Sequence, residues 1–484
     1  MIRRSGVTTQ VCESCRNLRV RNRALLSQVR VLRGKLQREQ ALRLADQQRV
    51  KDLEERLAVN ASNSSLPPSA NPRGAPKPWA KRPTGRKRGA QVGHAGHGRK
   101  LLPPEQVDER VEYRPAVCEH CQASLQQQAG ELVGRHQVAE LPPRAVKITE
   151  HQSFACRCAA CGKVSRAVIP QAVRCSSIGP RLCGAIGVLS ALGQGSRRAV
   201  EGVVRDVLGC NIALGSVSAR ERELSGALAG PYGELAREVS AARVKYVDET
   251  SWYCKSAEEW LFVGASDHAA VFRVEKTRTR SALKQLLCGQ LRGVFCTDRA
   301  TIYDVLPLSR RGVCWAHLKR DFVRCQERGG ASAAVGQAGL EVCQQVFGLW
   351  REFREGRITR RELQGKVQPL RQKMHAGLQK GADGGIAKTS GLCRGLLKRQ
   401  EAMWNWAKVP GLQPTNNLAE RMLRPAVIWR KKSFGSDSRG GCVFAERMMS
   451  VIQTIKLRQQ NVQEYLTTAL VAHRAGSPVP GPGP

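Results

Sequence analysis

From residue 243 onward, apolar and polar side chains alternate with a period of two. Strands joined in a hairpin are predicted for RVKYVDETSWYC and EEWLFVGASDHAAVFRV, a helix for RSALKQLL, and a further strand for RGVFCTDRATIYDVL. Strands that alternate with helices build a sheet covered by helices. This pattern limits the chain to folds with an α/β core that begins near residue 243.

Two aspartates stand at predicted strand ends in this region. Asp248 ends the first strand, and Asp298 ends the strand that follows the helix. Acids that end neighbouring strands can converge on one point, and carboxylate oxygens are the ligands that Mg²⁺ prefers. Glu249 is predicted to point to the other face of its strand, so it is the poorer candidate. The alternative for each aspartate is a turn or capping residue.

A third acid, Glu420, lies in the basic segment PTNNLAERMLRPAVIWRKKSFGSDSRGG, residues 414–441. Asn417 and Glu420 have capping-box spacing, so Glu420 could simply close the first turn of a helix. The other interpretation is that Glu420 holds a metal ion while basic neighbours bind a polyanion. Those neighbours are Arg421, Arg424, Arg430, Lys431 and Lys432. Pro425 is predicted to end or kink this helix after about two turns.

The net charge indicates what that polyanion is. Among 484 residues, 79 Lys and Arg oppose 40 Asp and Glu, a formal charge of +39. Nucleic acid or an anionic membrane surface is the natural counter-charge. No apolar run approaches the roughly 18 residues needed to span a bilayer, and the start, MIRRS, lacks the apolar core of a secretory signal. We therefore expect a cytoplasmic protein that binds nucleic acid and no membrane.

The N-terminal hundred residues divide into two predicted regions. Apolar residues such as Leu18, Leu25 and Leu32 recur at heptad spacing, which predicts a coiled-coil helix within residues 1–60 and a homo-oligomer. The alternative is an amphipathic helix that packs within its own chain. Residues 61–105 are predicted to be a basic linker rich in Pro and Gly, which is either only a solvated connection or an arm that lies along phosphates through Arg86, Lys87 and Arg88.

Two Cys-x-x-Cys pairs predict a zinc-binding domain at residues 106–170. Cys118 and Cys121 form the first pair, and Cys158 and Cys161 form the second, with Cys156 as an alternative to Cys158. Four thiolates fill a tetrahedral zinc site and leave no position for water, so the Zn²⁺ would be structural. The alternative is unligated cysteines.

The remaining segments are predicted to be mainly helical. Residues 171–242 contain two helices with a glycine turn at Gly209, the spacing of a helix-turn-helix DNA-binding region. Residues 243–455 are predicted to form an α/β domain with a helical insertion at about 325–412. Residues 456–484 are predicted to be a C-terminal helix and a disordered tail.

Six groups of segments follow one another in an order that resembles a known family. They are NSSLPPSANP with GAQVGHAGHGRK, CEHC with FACRCAACG, YVDET, TDRATIYD, CWAHLKRDF, and NNLAERMLRPAVIWRKKSFGSD. In these motifs the chain resembles the transposases of the insertion sequence 66 family, a group of bacterial DDE transposases. It departs from them at Arg299 and Ala300, where Gly-Tyr is usual, and at RQQNV, where Asn-Gly is usual.

The resemblance implies a multidomain α/β protein with an RNase H-like catalytic core. It also implies that Asp248, Asp298 and Glu420 hold two catalytic Mg²⁺ ions. Such an enzyme would act at the nucleoid, cut element ends, and join the 3′-hydroxyl to target double-stranded DNA. Whether accessory proteins take part is left open. The alternative is a catalytically inactive, DNA-binding accessory or domesticated relative.

Overall fold

The computed structural model describes residues 13–58 and 101–483, except 118, 126–130, 140, 142–145, 158, 162, 163 and 175. The protein is a helix-rich, multidomain α/β chain with a mixed sheet. It divides into a first unit, Met1–Arg82 with Arg320–Gln337, and a second unit, Pro83–Lys319 with Ala338–Pro484. None of the described helices combines the length and apolar character needed to cross a bilayer.

The first unit contains one long helix, α1 (Glu13–Ala58, 46 residues). The helix predicted for residues 18–57 is therefore observed, while its pairing as a coiled coil stays a prediction. Its described apolar side chains are exposed, and they include Leu18, Val20, Leu25, Val29, Leu32, Leu36, Val50 and Leu53. A helix this long with such a surface has its apolar residues available to another helix.

The second unit begins with a small hairpin and a group of helices. Strands β1 (Ala155–Arg157) and β2 (Val164–Arg166) pair in antiparallel fashion. The helices are α2 (Gln171–Arg174), α3 (Pro180–Gly187), α4 (Arg197–Asp206), α5 (Leu214–Ala227) and α6 (Ala229–Ala241). The helices predicted on either side of Gly209 are thus observed as α4 and α5, and Gly209 has a positive φ of 67°.

A five-stranded mixed sheet follows, in the order β5-β4-β3-β6-β7. Its strands are β3 (Val244–Cys254), β4 (Ala257–Ala265), β5 (Ala270–Glu275), β6 (Val294–Thr297) and β7 (Arg311–Val313), with α7 (Arg280–Leu286) before β6. Strands β3, β4 and β5 are antiparallel neighbours, whereas β6 is parallel to both β3 and β7. The predicted hairpin, helix and further strand are confirmed, while the sequence did not indicate β7.

The C-terminal half is helical. It contains α8 (Trp315–Glu327), α9 (Gly330–Arg354), α10 (Arg360–Asp383), α11 (Ala387–Lys398), α12 (Gln400–Lys408), α13 (Asn417–Ser433), α14 (Arg439–Leu457) and α15 (Val462–Arg474). Helices α9 to α12 occupy the segment predicted as a helical insertion. Helix α13 continues through Pro425, so the helix does not end there, while the kink that was the other predicted outcome stays a prediction. Pro425 has no N–H to donate to the carbonyl one turn earlier, which belongs to the exposed residue Arg421.

One hydrophobic core joins the sheet to the flanking helices of the second unit. The sheet contributes Val247, Phe262 and Phe295, and the helices contribute Leu224, Val239, Met448 and Leu466. Helix α14 also covers β5, which is an edge strand of the sheet. Side chains one helical turn apart accept hydrogen bonds from alternate amides of β5: Thr454 from Ala270, Ser450 from Phe272, and Glu446 from Val274. These bonds leave this edge closed to another strand.

The C-terminal tail makes defined contacts up to residue 483. Arg458 donates to the Gly483 carbonyl at 2.9 Å, and the Tyr465 hydroxyl donates to the Pro480 carbonyl at 2.8 Å. Residues 477–483 form no helix or strand, and the disorder predicted for this tail stays a prediction. The composition rich in Pro and Gly carries no apolar pattern, but its carbonyl groups find donors on α15 and on Arg458.

Candidate active site

Strands β3 and β6 bring Asp248 and Asp298 to the same level of the sheet. Tyr246 pairs with Cys296 across the two parallel strands. Each aspartate lies two residues beyond that pair, so both occupy equivalent positions on one face. Neighbouring strands are about 4.8 Å apart, which makes the two carboxylates neighbours.

The structure places one of these two aspartates as predicted and the other differently. Asp298 follows the last residue of β6, Thr297, as predicted. Asp248 does not end its strand, because β3 continues to Cys254 through pairing with β4, where Asp248 lies opposite Val263. Asp248 is therefore held in mid-strand, level with the point at which β6 ends.

Helix α13 carries Glu420 and is bonded to β3 beside Asp248. The Asn416 side chain donates from Nδ2 to the Val247 carbonyl at 2.9 Å, and the Asn416 amide donates to Cys314 Sγ at 3.2 Å. Glu420 lies one turn further on, and its amide donates to the Asn416 carbonyl at 3.1 Å. Residue 416 is the N-cap and its side chain makes no capping bond, so the alternative of a capping box at Asn417 is wrong.

Cys314 and His317 lie next to Glu420. Cys314 follows β7, and its amide donates to the Thr297 carbonyl at 2.9 Å, next to Asp298. Glu420 Oε1 is 3.6 Å from His317 Nδ1. Cys314, His317 and Glu420 each present a ligand atom within 4.8 Å of the others, so these three side chains could also hold a metal ion.

The electrostatics of the site oppose ionisation of Asp248. Burial raises the pKa of Asp248 well above its usual range, and the negative charges of Glu249, Asp298 and Glu420 raise this pKa further. The pKa of Tyr303 is raised by burial and by Glu249, Asp248 and Asp298. A divalent cation would reverse the repulsion among these carboxylates, so the donor set fits Mg²⁺.

Glu249, the fourth acid of the site, is already bound by two side chains. Its side chain is only 1 % exposed, and its carboxylate accepts hydrogen bonds from the Tyr303 hydroxyl and from Arg278 Nε at 2.7 Å. The Arg278 guanidinium lies 5.0 Å from the Trp260 ring centroid. Sequence reasoning did not find these partners, because Arg278 and Tyr303 are 29 and 54 residues away from Glu249.

One exposed face of α13 is basic. Arg421, Arg424, Ile428 and Lys431 are exposed and recur at intervals of three and four residues, which places them on one side of the helix with Glu420. We call these four residues the α13 basic face. Lys432 is also exposed. A strip of cations beside a carboxylate site is suited to a phosphate chain.

Arg430, which sequence analysis also assigned to DNA, packs against β3. Its Nη1 donates to Thr250 Oγ1 at 3.3 Å and to the Ser251 carbonyl. Arg430 thus ties the last turn of α13 to the strand that carries Asp248. The remaining predicted DNA-binding residues, Arg86, Lys87 and Arg88, lie outside the described residues.

The predicted zinc ligands are described only in part. Cys121, Cys161 and the alternative ligand Cys156 are exposed free cysteines. Cys118 and Cys158 lie outside the described residues, so the tetrahedral site stays a prediction. A separate buried set, Cys254, Glu259 and Cys442, also has metal-ligand spacing. However, Glu259 there accepts a hydrogen bond from Arg439 at 3.1 Å, which places a competing cation beside it.

Comparison with known families identifies the family of the chain. The chain belongs to the Transposase IS66 family, whose model matches residues 195–443, just over half of its length. The match covers Asp248, Asp298 and Glu420. Residues 14–100 match a second model, which describes a family of unknown function (DUF6444).

Two proteins of Sinorhizobium fredii (strain NBRC 101917 / NGR234) are similar to the chain. Uncharacterized protein y4qI is 24% identical over 253 residues, which cover 46% of this chain and 45% of that protein. Uncharacterized protein y4hP is 25% identical over 428 residues, which cover 79% of this chain and 75% of that protein. The chain thus spans less than half the length of the first relative.

The raised pKa of Asp248 predicts how stability depends on pH. A carboxyl whose folded-state pKa is raised stabilises the fold when protonated, and this contribution is lost as the pH rises above the usual Asp range. Without divalent metal, we expect Asp248→Asn to match the wild-type Tm near about pH 4 and to exceed it at about pH 7.5. Thermal unfolding across this pH range measures the difference.

The matched control for this prediction is Asp267→Asn, which changes an exposed aspartate between β4 and β5. The difference in Tm between Asp267→Asn and the wild type should not increase as the pH rises. Parallel curves of Tm against pH for wild type and Asp248→Asn would contradict the electrostatic account of the site.

Proposed function

We propose that the protein is a DNA transposase that cuts the ends of its element and joins the freed 3′-hydroxyl to target DNA. The observation that carries this proposal is the convergence of Asp248, Asp298 and Glu420. Membership of the Transposase IS66 family supports it.

We further propose that the catalytic domain is RNase H-like. Its support is the sheet, in which three antiparallel strands are followed by two parallel ones, with Asp248 on β3.

The three acids have distinct roles in the proposed reaction. Asp248 would contact two Mg²⁺ ions, while Asp298 and Glu420 would each contact one of them. When bound, the two ions would activate water or a 3′-hydroxyl and stabilise the leaving oxygen. Three carboxylates leave coordination positions open to DNA oxygens. Glu249 stays out of this set because Arg278 and Tyr303 hold its carboxylate.

DNA would lie along the α13 basic face. Arg421, Arg424 and Lys431, which all follow Glu420 along the helix, would neutralise phosphates on one side of the scissile bond, and the basic arm with Arg86, Lys87 and Arg88 would add sequence-independent contacts. Because the substrate is chromosomal DNA, we place the protein at the nucleoid in the bacterial cytoplasm. No covalent enzyme intermediate is required, since a DNA hydroxyl or water is the nucleophile.

Loss of any of the three carboxylates should abolish strand cleavage without preventing DNA binding. We expect Asp248→Asn, Asp298→Asn and Glu420→Gln each to lower the cleavage rate by about a thousandfold or more. The assay follows cleavage of element-end DNA in Mg²⁺ on a denaturing gel, with binding measured separately by fluorescence anisotropy.

Asp267→Asn is again the control and should cleave at the wild-type rate. Equal nicking by wild type and all three variants would mean a contaminating nuclease. DNA binding without cleavage by the wild type would favour the alternative of an inactive, DNA-binding relative.

The zinc proposal is tested by metal content. We expect about one zinc ion per chain, since four thiolates make one tetrahedral site. The variant Cys121→Ser, Cys161→Ser should lose that ion because two ligands are removed. Inductively coupled plasma mass spectrometry of the purified chain provides the measurement. Cys288→Ser, which changes an exposed cysteine elsewhere, should keep the ion; wild-type protein without zinc would overturn the proposal.

The oligomer proposal is tested on α1. We expect the wild-type chain to be at least a dimer, since α1 exposes its heptad leucines. Leu25→Lys with Leu32→Lys should shift it to a monomer in sedimentation velocity, because both charges enter the apolar seam. Val20→Lys, an exposed position outside that seam, should leave the oligomer intact. A monomeric wild type at all concentrations would exclude a coiled-coil assembly.

A further inference from the structure

Phe434 is an aromatic residue in a place that folding alone does not explain. It follows the last residue of α13 and is 82 % exposed. Its backbone is left-handed, with φ 57° and ψ 25°. Glycine or asparagine usually occupies this position at a helix end, because a larger L-residue there carries a free-energy cost. Neither burial nor backbone preference therefore accounts for phenylalanine.

The turn that presents Phe434 is fixed to the β3–β4 hairpin. The Ser436 amide donates to the Tyr253 carbonyl at 2.9 Å, and the Lys255 amide donates to the Ser436 carbonyl at 2.9 Å. Gly435, which lies between Phe434 and Ser436, has φ 95°, and a Cβ atom at this residue would collide with Tyr253. The Phe434 amide itself donates to the Arg430 carbonyl at 2.8 Å. Hydrogen bonds therefore hold the backbone that carries the exposed Phe434 ring in place.

Phe434 also continues the α13 basic face. It is 14 positions after Glu420 (434 − 420) and three positions after Lys431, the last residue of that face. The axial rise over that interval is about 21 Å, which equals about six base-pair steps of B-DNA. A duplex that follows the cations from Glu420 would reach the ring at that distance.

We propose that Phe434 binds a nucleobase: its ring inserts at a base step of the element end, about six steps from the phosphate held at the carboxylates. This inference rests on the proposed function, which supplies DNA along α13. The basic face supplies the charge complementarity that selects DNA as the occupant. Aromatic rings pack on any base, so this contact would distort the duplex without reading its sequence.

The test uses the full-length chain and duplexes made from the element end that flanks the gene. Each duplex carries one 2-aminopurine, moved stepwise along the DNA, in Ca²⁺ buffer without cleavage. We expect the wild type to change the fluorescence of 2-aminopurine near the sixth step. Phe434→Ala should abolish that change and weaken binding about tenfold. The dependence of affinity on salt should stay as in the wild type, because no phosphate contact is lost.

Two further variants separate base contact from a structural role. Phe434→Trp retains an aromatic face and should keep the fluorescence change. Phe434→Gly relieves the left-handed backbone, so its Tm should equal or exceed that of the wild type while its affinity falls as for Phe434→Ala. Val471→Ala, which changes an exposed apolar residue on α15, should leave both readouts unchanged.

The proposal is overturned if Phe434→Ala and Phe434→Gly keep wild-type fluorescence and affinity, which would point to a protein partner for the ring. It is also overturned if Tm falls together with affinity in Phe434→Gly. Failure of the proposed transposase activity would give a different result. The wild type would then still distort the duplex through Phe434 in Ca²⁺ but would not cleave DNA in Mg²⁺.

Discussion

The hydrogen bond from Asn416 Nδ2 to the Val247 carbonyl, at 2.9 Å, connects the two parts of the site. It joins the helix that carries Glu420 to the strand that carries Asp248. Burial raises the pKa of Asp248, and without a divalent cation the repulsion among the carboxylates gathered here raises this pKa further. The surrounding structure therefore has to hold them together. Asn416, which is fully buried, does this from the helix side.

Buried Arg311 holds the site from the other side. Its Nη2 donates to the Asp298 carbonyl at 2.9 Å, and its Nη1 donates to Asp304 at 2.7 Å. Asp304 also accepts a hydrogen bond from Arg399 Nε at 3.0 Å, so two arginines share its carboxylate. A buried cation with paired acceptors is costly to disrupt, so the backbone at Asp298 has little freedom. The positions of the two aspartates thus depend on polar contacts that extend well beyond the carboxylates.

Much of this arrangement could be predicted from the sequence, and the remainder could not for identifiable reasons. The period-two alternation predicted β3, β4 and β5 because their side chains alternate between core and surface. Strand β7 was missed because it has three residues, one of them charged Arg311, and it is a strand only through pairing with β6. Asp248 was placed at a strand end because the sequence does not show that β4 pairs beyond it.

Helix α13 brings together an acid, a row of cations and an exposed aromatic ring. It presents Glu420 in its first turn, cations along one face, and Phe434 at its end. The basic residues were recognisable from the sequence, but the use of Arg430 to bind β3 was not, since Thr250 lies 180 residues away. The family match adds a transposase context to the geometry of this helix.

The most direct test of the account is anomalous scattering from crystals of the chain with element-end DNA and Mn²⁺. We expect two manganese peaks about 4 Å apart. Both should lie within bonding distance of Asp248, with one of them also bound by Asp298 and the other by Glu420. Manganese bound elsewhere while these three carboxylates carry none would contradict it.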